Sequence, residues 1–253
     1  MQRREGRGLR LRTKGIRRVC IMFDKTISGK QFTREGELVC LNRFPVENNY
    51  DNHSDSSDDE TDFAPNDFVQ KFPLKEFNKV QSAIETPSEI YIHFGENYKV
   101  EVGGDQKDVE NIVAEVKDGR LIITQKAQNK QAGFLTVHIT LPTLLVLNLE
   151  KGFGNVRIRD IQSENLQLDV KGQYKIRGTG HIGNLTADLA GLTNLEAFDL
   201  EIENAKINAS ENAHVEVNVN QGLEAKASGV AQIRYKGSPN LQKTIKDSGV
   251  IKP

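Results

Sequence analysis

Residues 183–219 read GNLTADLAGLTNLEAFDLEIENAKINASENAHVEVNV, and the spacing inside this stretch decides the fold. Leu185, Ala187 and Leu189 alternate with Thr186 and Asp188, then Gly191 intervenes and Leu195 is followed by Glu196. The pattern then starts again: Ala205, Ile207 and Ala209 alternate with Lys206 and Asn208, Glu211 stands in the glycine place, and Val215 precedes Glu216. Period-two alternation is the mark of a strand with one dry and one wet face. Its return after about twenty residues means stacked equivalent units, each burying its apolar side chains against its neighbours.

The same unit extends in both directions. Gly152, Gly172, Gly191, Gly229 and Gly249 are the expected turn positions, and with Glu211 included the steps are 20, 19, 20, 18 and 20 residues. Before these positions stand the triplets Leu166, Leu168, Val170 and Leu223, Ala225, Ala227. After them comes an apolar column, Val156, Ile176, Leu195, Val215 and Ile233, each member followed by a charged residue: Arg157, Arg177, Glu196, Glu216 and Arg234. Columns of this kind stack when equivalent strands pair in parallel, so the sequence predicts an all-β parallel β-helix, or solenoid, with rungs of about twenty residues made of two short strands and a four-residue turn. An antiparallel sandwich also fits short strands at even spacing, but it gives no reason for like residues to recur in register. Leu147 and Leu149 are one residue out of step, which predicts a bulge or a separate first strand. Asn165, Asn184 and Asn204 are placed to form a side-chain ladder.

The remainder divides by composition. Residues 1–18 carry eight Lys or Arg against the single acid Glu5, and residues 51–70 carry seven Asp or Glu and no Lys or Arg; the chain's net charge of −1 conceals this asymmetry. Residues 1–71 are expected to be basic, then acidic, and largely disordered, because such segments bury too little apolar surface to offset ordering entropy. At most a weak hairpin is expected over residues 19–46. Residues 72–253 form the predicted domain, beginning with β-hairpins. One is expected between Ile90–Phe94 and Val100–Val102, and another around Asp118–Gly119, a strong two-residue turn signal. Leu135 to Leu141 is a further strand, with His138 on its expected exposed face. Only Asp105 to Val113 suits a turn or two of helix.

The stretches IYIHFGENYKVEV, VKDGRLIITQK, LPTLLVLNLEKGFGNVRI, AFDLEIENAKINASENAHVEVNV and GLEAKASGVAQIRYKGSPN resemble the auto-transporter adhesin family with a head GIN domain, over roughly Phe72 to Pro253. The resemblance implies a right-handed parallel β-structure, a location in the bacterial envelope or outside the cell, and an adhesive role without an established biochemical activity. It also implies turns of the form Ser-Gly-x-Gly-Asp. Here the turns read KGFGN, KGQYK, AGLTN, SENAH and SGVAQ, with Asn155, Lys175, Asn194, His214 and Gln232 at the acidic place, so no carboxylate ladder for a hard cation is expected. Phe153, Tyr174, Leu192 and Val230 bring bulk to the turns instead. They are candidates for a surface contact ridge, with packing inside a widened corner as the other reading. Exported relatives carry a signal sequence, whereas the longest apolar run here, Val19 to Phe23, is too short for a signal-peptide core or a membrane span.

No catalytic constellation stands out. His53, His93, His138, His181 and His214 include no metal-binding spacing, both cysteines (Cys20, Cys40) precede residue 72, and no nucleophile elbow or phosphate loop is present. The expected function is therefore a non-enzymatic β-solenoid presenting a rigid surface for adhesion or scaffolding, without cofactor or metal. Its expected partner is an unidentified protein or glycan, with self-association through the solenoid ends as a further possibility and no nucleic acid expected. Two alternatives remain open. Glu196 and Glu216 on neighbouring strands could serve a polysaccharide-acting enzyme, and the basic tail could serve a binding module.

Overall fold

The computed structural model describes residues 18–22, 38–42, 63–65, 67–127 and 133–253. The chain separates into two units, Met1–Ser57 and Asp58–Pro253. In the first, β1 (Arg18–Met22) and β2 (Leu38–Asn42) pair antiparallel with Cys20 opposite Cys40. The basic residues before Arg18 and the acidic run up to residue 62 lie outside the described residues.

The second unit contains β3 (Phe68–Phe72), β4 (Lys79–Ala83), β5 (Ser88–Phe94), β6 (Lys99–Gly104), the single-turn helix α1 (Gln106–Glu110), β7 (Ile112–Lys117), β8 (Arg120–Gln125) and β9 (Leu135–Leu141). It continues with β10 (Val146–Leu149), β11 (Phe153–Gly191), β12 (Asn194–Ala209), β13 (His214–Ala227), β14 (Gln232–Lys236), β15 (Asn240–Ile245) and β16 (Val250–Lys252). The fourteen strands form one mixed sheet. The all-β expectation therefore holds, but the sheet is not the uniform parallel coil that the repeat alone suggested.

From Val146 onward the pairings are parallel and follow the columns read from sequence. Ala187 pairs with Ile207 and Ile207 with Ala225; Ile176 pairs with Leu195, Leu195 with Val215 and Val215 with Ile233. All of these side chains are buried, so each column is a continuous apolar rib. At about 25 cal/mol per Å² of apolar surface removed from water, such ribs dominate the stability of the stack. The out-of-step Leu147 and Leu149 belong to the separate strand β10, opposite Leu168 and Val170. The asparagine ladder is present: Asn184 Nδ2 donates to Asn165 Oδ1 at 3.2 Å, and Asn204 Nδ2 to Asn184 Oδ1 at 3.5 Å. It stops at Gly222, which lies opposite Asn204 and brings no amide to continue it.

The strands are longer than the two short pieces expected per unit, and β11 runs 39 residues through its corners. Positive φ at Asp160 (55°) and Gly180 (116°) lets the chain change direction without leaving the sheet.

The region before Val146 departs from the simple hairpin reading. The Asp118–Gly119 turn joins β7 to β8 antiparallel, with φ of 51° and 69° as a primed turn requires. The hairpin expected between Ile90–Phe94 and Val100–Val102 does not close. Instead β9 inserts between its two arms, parallel to β5 and antiparallel to β6. The four-residue connection Gly95 to Tyr98 leaves room for this, and the insertion satisfies both polar edges of β9 while burying Leu135, Val137, Ile139 and Leu141.

Candidate functional site

Two outward features of the parallel region could meet a partner: the line of turns, and a groove where the strand register breaks. The turns are held by backbone bonds from each unit to the one before it. Gln173 N donates to Gly152 O, Leu192 N to Gly172 O, Asn212 N to Gly191 O, Val230 N to Glu211 O and Ser248 N to Gly229 O, at 2.8 to 3.2 Å. Gly152, Gly191 and Gly229 adopt φ of 94°, 79° and 67°. At Gly152 a Cβ would run into the Ile84 carbonyl oxygen, so no side chain fits there.

Glu211 takes φ 60° in the place where glycine is missing. Its Oε2 accepts a hydrogen bond from Gly191 N at 2.9 Å, which offsets part of the cost of a left-handed conformation. The final turn repeats the device with Asp247, at φ 56°, whose Oδ2 accepts from Gly229 N at 3.2 Å. The equivalent of the other turn residues is thus Asp247, and Gly249 lies two positions beyond it. Gly172 is not left-handed, because β11 passes through that turn without interruption.

Of the four candidate contact residues, three face outward. Phe153, Leu192 and Val230 are 42%, 58% and 51% exposed. Tyr174 is 1% exposed and its hydroxyl donates to the Lys151 carbonyl; burial pushes the phenol up to about 12. It belongs to the packing of the corner.

The charged column is an ion-pair ladder on the sheet's outer face. Arg157 meets Glu89 at 3.0 Å, Arg177 Nε donates to Glu196 at 2.7 Å, Lys175 reaches the same carboxylate at 2.7 Å, and Arg234 meets Glu216 at 2.6 Å. Burial pushes the Glu196 carboxyl up, but the hydrogen bonds and charges of Lys175 and Arg177 outweigh it and hold the group below the usual carboxylate range. A glycosidase acid needs the opposite, a carboxyl kept protonated near neutrality. Glu196 therefore does not fit the acid role, and Glu216 beside it is likewise engaged by a basic side chain, Arg234.

Beside this ladder the register breaks. Between Ala197 and Glu201, β12 carries three residues, Phe198, Asp199 and Leu200, with no counterpart in β13; between Arg177 and Gly180, β11 has two residues against three in β12. Bulges of this kind re-aim side chains. Here they open a groove of about 330 Å³ whose walls include Arg159, Arg177, Thr179, Glu196, Phe198 and Glu216. The Phe198 ring carries Arg234 and Lys236 at 5.6 Å and 5.4 Å from its centroid, within cation–π range. The sequence reading missed this groove, although its trace was visible. The three extra residues in β12, less one that β13 gains between Val219 and Gly222, account for the difference between the 20-residue and 18-residue steps.

A second polar cluster lies where exposure was expected. His138 is 3% exposed, because Tyr91 stacks on its ring at 4.8 Å, Phe63 meets it edge-on at 4.8 Å, and His93 Nε2 lies 3.1 Å from its Nδ1. Burial, reinforced by His93 and Lys99, pushes His138 down to about 4, with Glu101 opposing. Glu101 is itself buried and held by Lys99 at 2.8 Å and Lys71 at 3.1 Å. Among the described residues no cluster of His, Cys, Asp or Glu could hold a metal ion, and no helix is long and apolar enough to cross a membrane.

The domain thus combines stacked strands, an ionic outer face and a groove beside Phe198. Residues 76–239 match the family described as putative auto-transporter adhesin, head GIN domain, and the chain belongs to that family. Among solved structures it is similar to a putative adhesin from Bacteroides fragilis NCTC 9343, at 24% identity and TM-score 0.53, covering 75% of this chain and 97% of that one. It is also similar to a putative adhesin (18% identity, TM-score 0.43, 74% and 97% covered) and a putative lipid binding protein (20%, TM-score 0.41, 75% and 97%), both from Parabacteroides distasonis ATCC 8503. The first of these likenesses shows a shared fold. No curated protein gives a significant match.

Proposed function

We propose that the domain is a non-enzymatic, right-handed parallel β-solenoid that presents a rigid surface for adhesion or scaffolding at the bacterial cell envelope. The observation that carries this reading is the parallel register of β11 to β14, which fixes outward side chains at strand spacing whatever their identity. A surface of that kind can vary residue by residue without disturbing the apolar ribs beneath. Family membership supports the adhesive role, and the exposed Phe153, Leu192 and Val230 supply an apolar contact line along the turns.

The test is to display the full chain on a non-adherent bacterium and count cells retained on protein-coated and glycan-coated surfaces under flow. Display should raise retention. Replacing Phe153, Leu192 and Val230 together by Ser should lower it several-fold on the surface the ridge recognises, with the melting temperature unchanged. Retention no better than that of undisplayed cells on every surface, or cleavage of a polysaccharide coat by the purified protein, would overturn the reading.

A further inference from the structure

The segment from Phe63 through β3 lies over a buried histidine, and it is lightly held. β3 pairs with β6 and, among the described residues, with no other strand, and none of its five residues is buried. Beyond that ladder, Lys71 reaches the buried Glu101 carboxylate at 3.1 Å. Phe63, ahead of β3, lays its ring against Gly103, where a Cβ would strike it, and edge-on to the His138 imidazole at 4.8 Å.

This cover suits a neutral imidazole. Tyr91 stacks on the His138 ring, Nδ1 lies 3.1 Å from His93 Nε2 so that one hydrogen serves both, and the buried Nε2 has no hydrogen-bond partner among the described residues. The imidazolium must carry a hydrogen on each nitrogen, so its Nε2–H would be a charged donor buried without an acceptor. The surroundings do little to help. Lys99 on β6 and His93 on β5 oppose the charge, while Glu101 on β6 attracts it but already meets Lys71 and Lys99. On the covering segment Asp67 accepts from Ala64 N at 3.0 Å, and Arg157 of β11, paired with Glu89, lies 5.5 Å from the Tyr91 centroid. Lifting Phe63 lets water reach the ring and relieves the cost of the charge. We propose that Phe63 and β3 form an acid-released strap: protonation of His138 favours their detachment from β6 and leaves the outer edge of β6 open to pair with another strand. This goes beyond the adhesive reading and does not depend on it.

The sign follows from linkage. The covered ring is held down to about 4 by burial, then by His93 and Lys99, against 6.5 in water, so the closed strap is fully favoured above 6.5 and loses its advantage as pH falls toward 4. Between about pH 7.5 and about pH 5 the open population should rise by up to about thirtyfold.

The experiment is hydrogen exchange of the full chain at those two pH values, read by mass spectrometry with labelling times scaled for the intrinsic chemical rate. Protection of β3 should fall at least about tenfold at the lower pH while β9 and β11 keep theirs. In His138→Leu the fall should vanish. In Phe63→Ala, β3 should be less protected at both pH values, and the His138 titration followed by NMR should move up by at least about one pH unit toward its ordinary value. Protection of β3 that ignores pH, an equal fall in His138→Leu, or an unmoved His138 midpoint in Phe63→Ala would each overturn the strap. So would an equal loss of protection in β9 and β11, which would mean that the whole domain opens.

Discussion

From Val146 to Lys252 each described strand pairing is parallel and like residues lie over like: Ala187 over Ile207, Leu195 over Val215, Asn184 over Asn204. From Phe68 to Leu141 the pairings β3–β6, β6–β9 and β7–β8 are antiparallel, while β4–β8 and β5–β9 are parallel, and partners are as dissimilar as Glu101 and His138. The two regions share one sheet and one kind of core, yet they use opposite means of choosing partners. In the repeat region a residue's partner is fixed by its phase in the repeat. In the earlier region it is fixed by which edge remains to be satisfied, as when β9 parts the two arms of an expected hairpin. Polar groups follow the same division. The repeat region keeps its charges on the outer face in short ladders, whereas the earlier region buries His138, stacked on the half-buried His93, and the Glu101 carboxylate.

The sharpest way to break this contrast is to place a charge in each core. Ile207→Asp and Ile139→Asp both bury an unpaired carboxylate and should each cost about 4 kcal/mol or more by chemical denaturation. The distribution of the damage should differ. In hydrogen exchange, Ile207→Asp should strip protection from β12, β13 and the strands after them while β8 and β9 stay protected, because β12 pairs with β11 and β13 and not with β8 or β9. Ile139→Asp should unlock β5, β6 and β9 together. Identical loss of protection everywhere in both variants would mean that one cooperative unit overrides the division.

A smaller effect separates the regions by pH. His138 has its folded value depressed to about 4 from 6.5, so the unfolded chain binds the extra proton between those limits. The stabilisation is therefore complete above pH 6.5 and is lost as pH falls toward 4, by at most about 3 kcal/mol at roughly 1.36 kcal/mol per pH unit. Thermal melts of His138→Leu should lack this slope. A wild-type slope surviving in the variant would show that another group carries it.

The smallest effect belongs to the turns. Glu211→Ala removes the carboxylate that accepts from Gly191 N while keeping a side chain at φ 60°, and should cost about 1 kcal/mol. Glu211→Gly loses the same bond but relieves the left-handed strain, so its stability in urea should lie within about 1 kcal/mol of wild type. If the alanine variant proved the more stable of the two, the strain would not be real.

The sequence was most legible where chemistry repeats. The columns through Leu195 and Ile207, the asparagine ladder, the separate strand at Leu147 and the Asp118–Gly119 turn all follow from local pattern. What it could not show depends on contacts between unlike segments. His138 read as exposed because alternation placed it opposite Val137 and Ile139; the covering ring of Phe63 comes from a segment some seventy-five residues away and leaves no periodic trace. Tyr174 stands two residues after Gly172, in phase with the buried Thr193, Ala213 and Ala231 and not with the exposed Leu192 and Val230, so its inward position was legible in the spacing. The groove was half legible, since the step lengths recorded extra residues without saying at which corner they lay.

The 39-residue strand β11 bears on how this domain answers force. It pairs with β5, with β10 and with β12, so a single uninterrupted backbone is stitched to both regions. A pull between the two regions therefore has no slack connection to stretch first. Any load passed from one region to the other is carried by the backbone hydrogen bonds of β11 to β5, β10 and β12 and not by a loose linker.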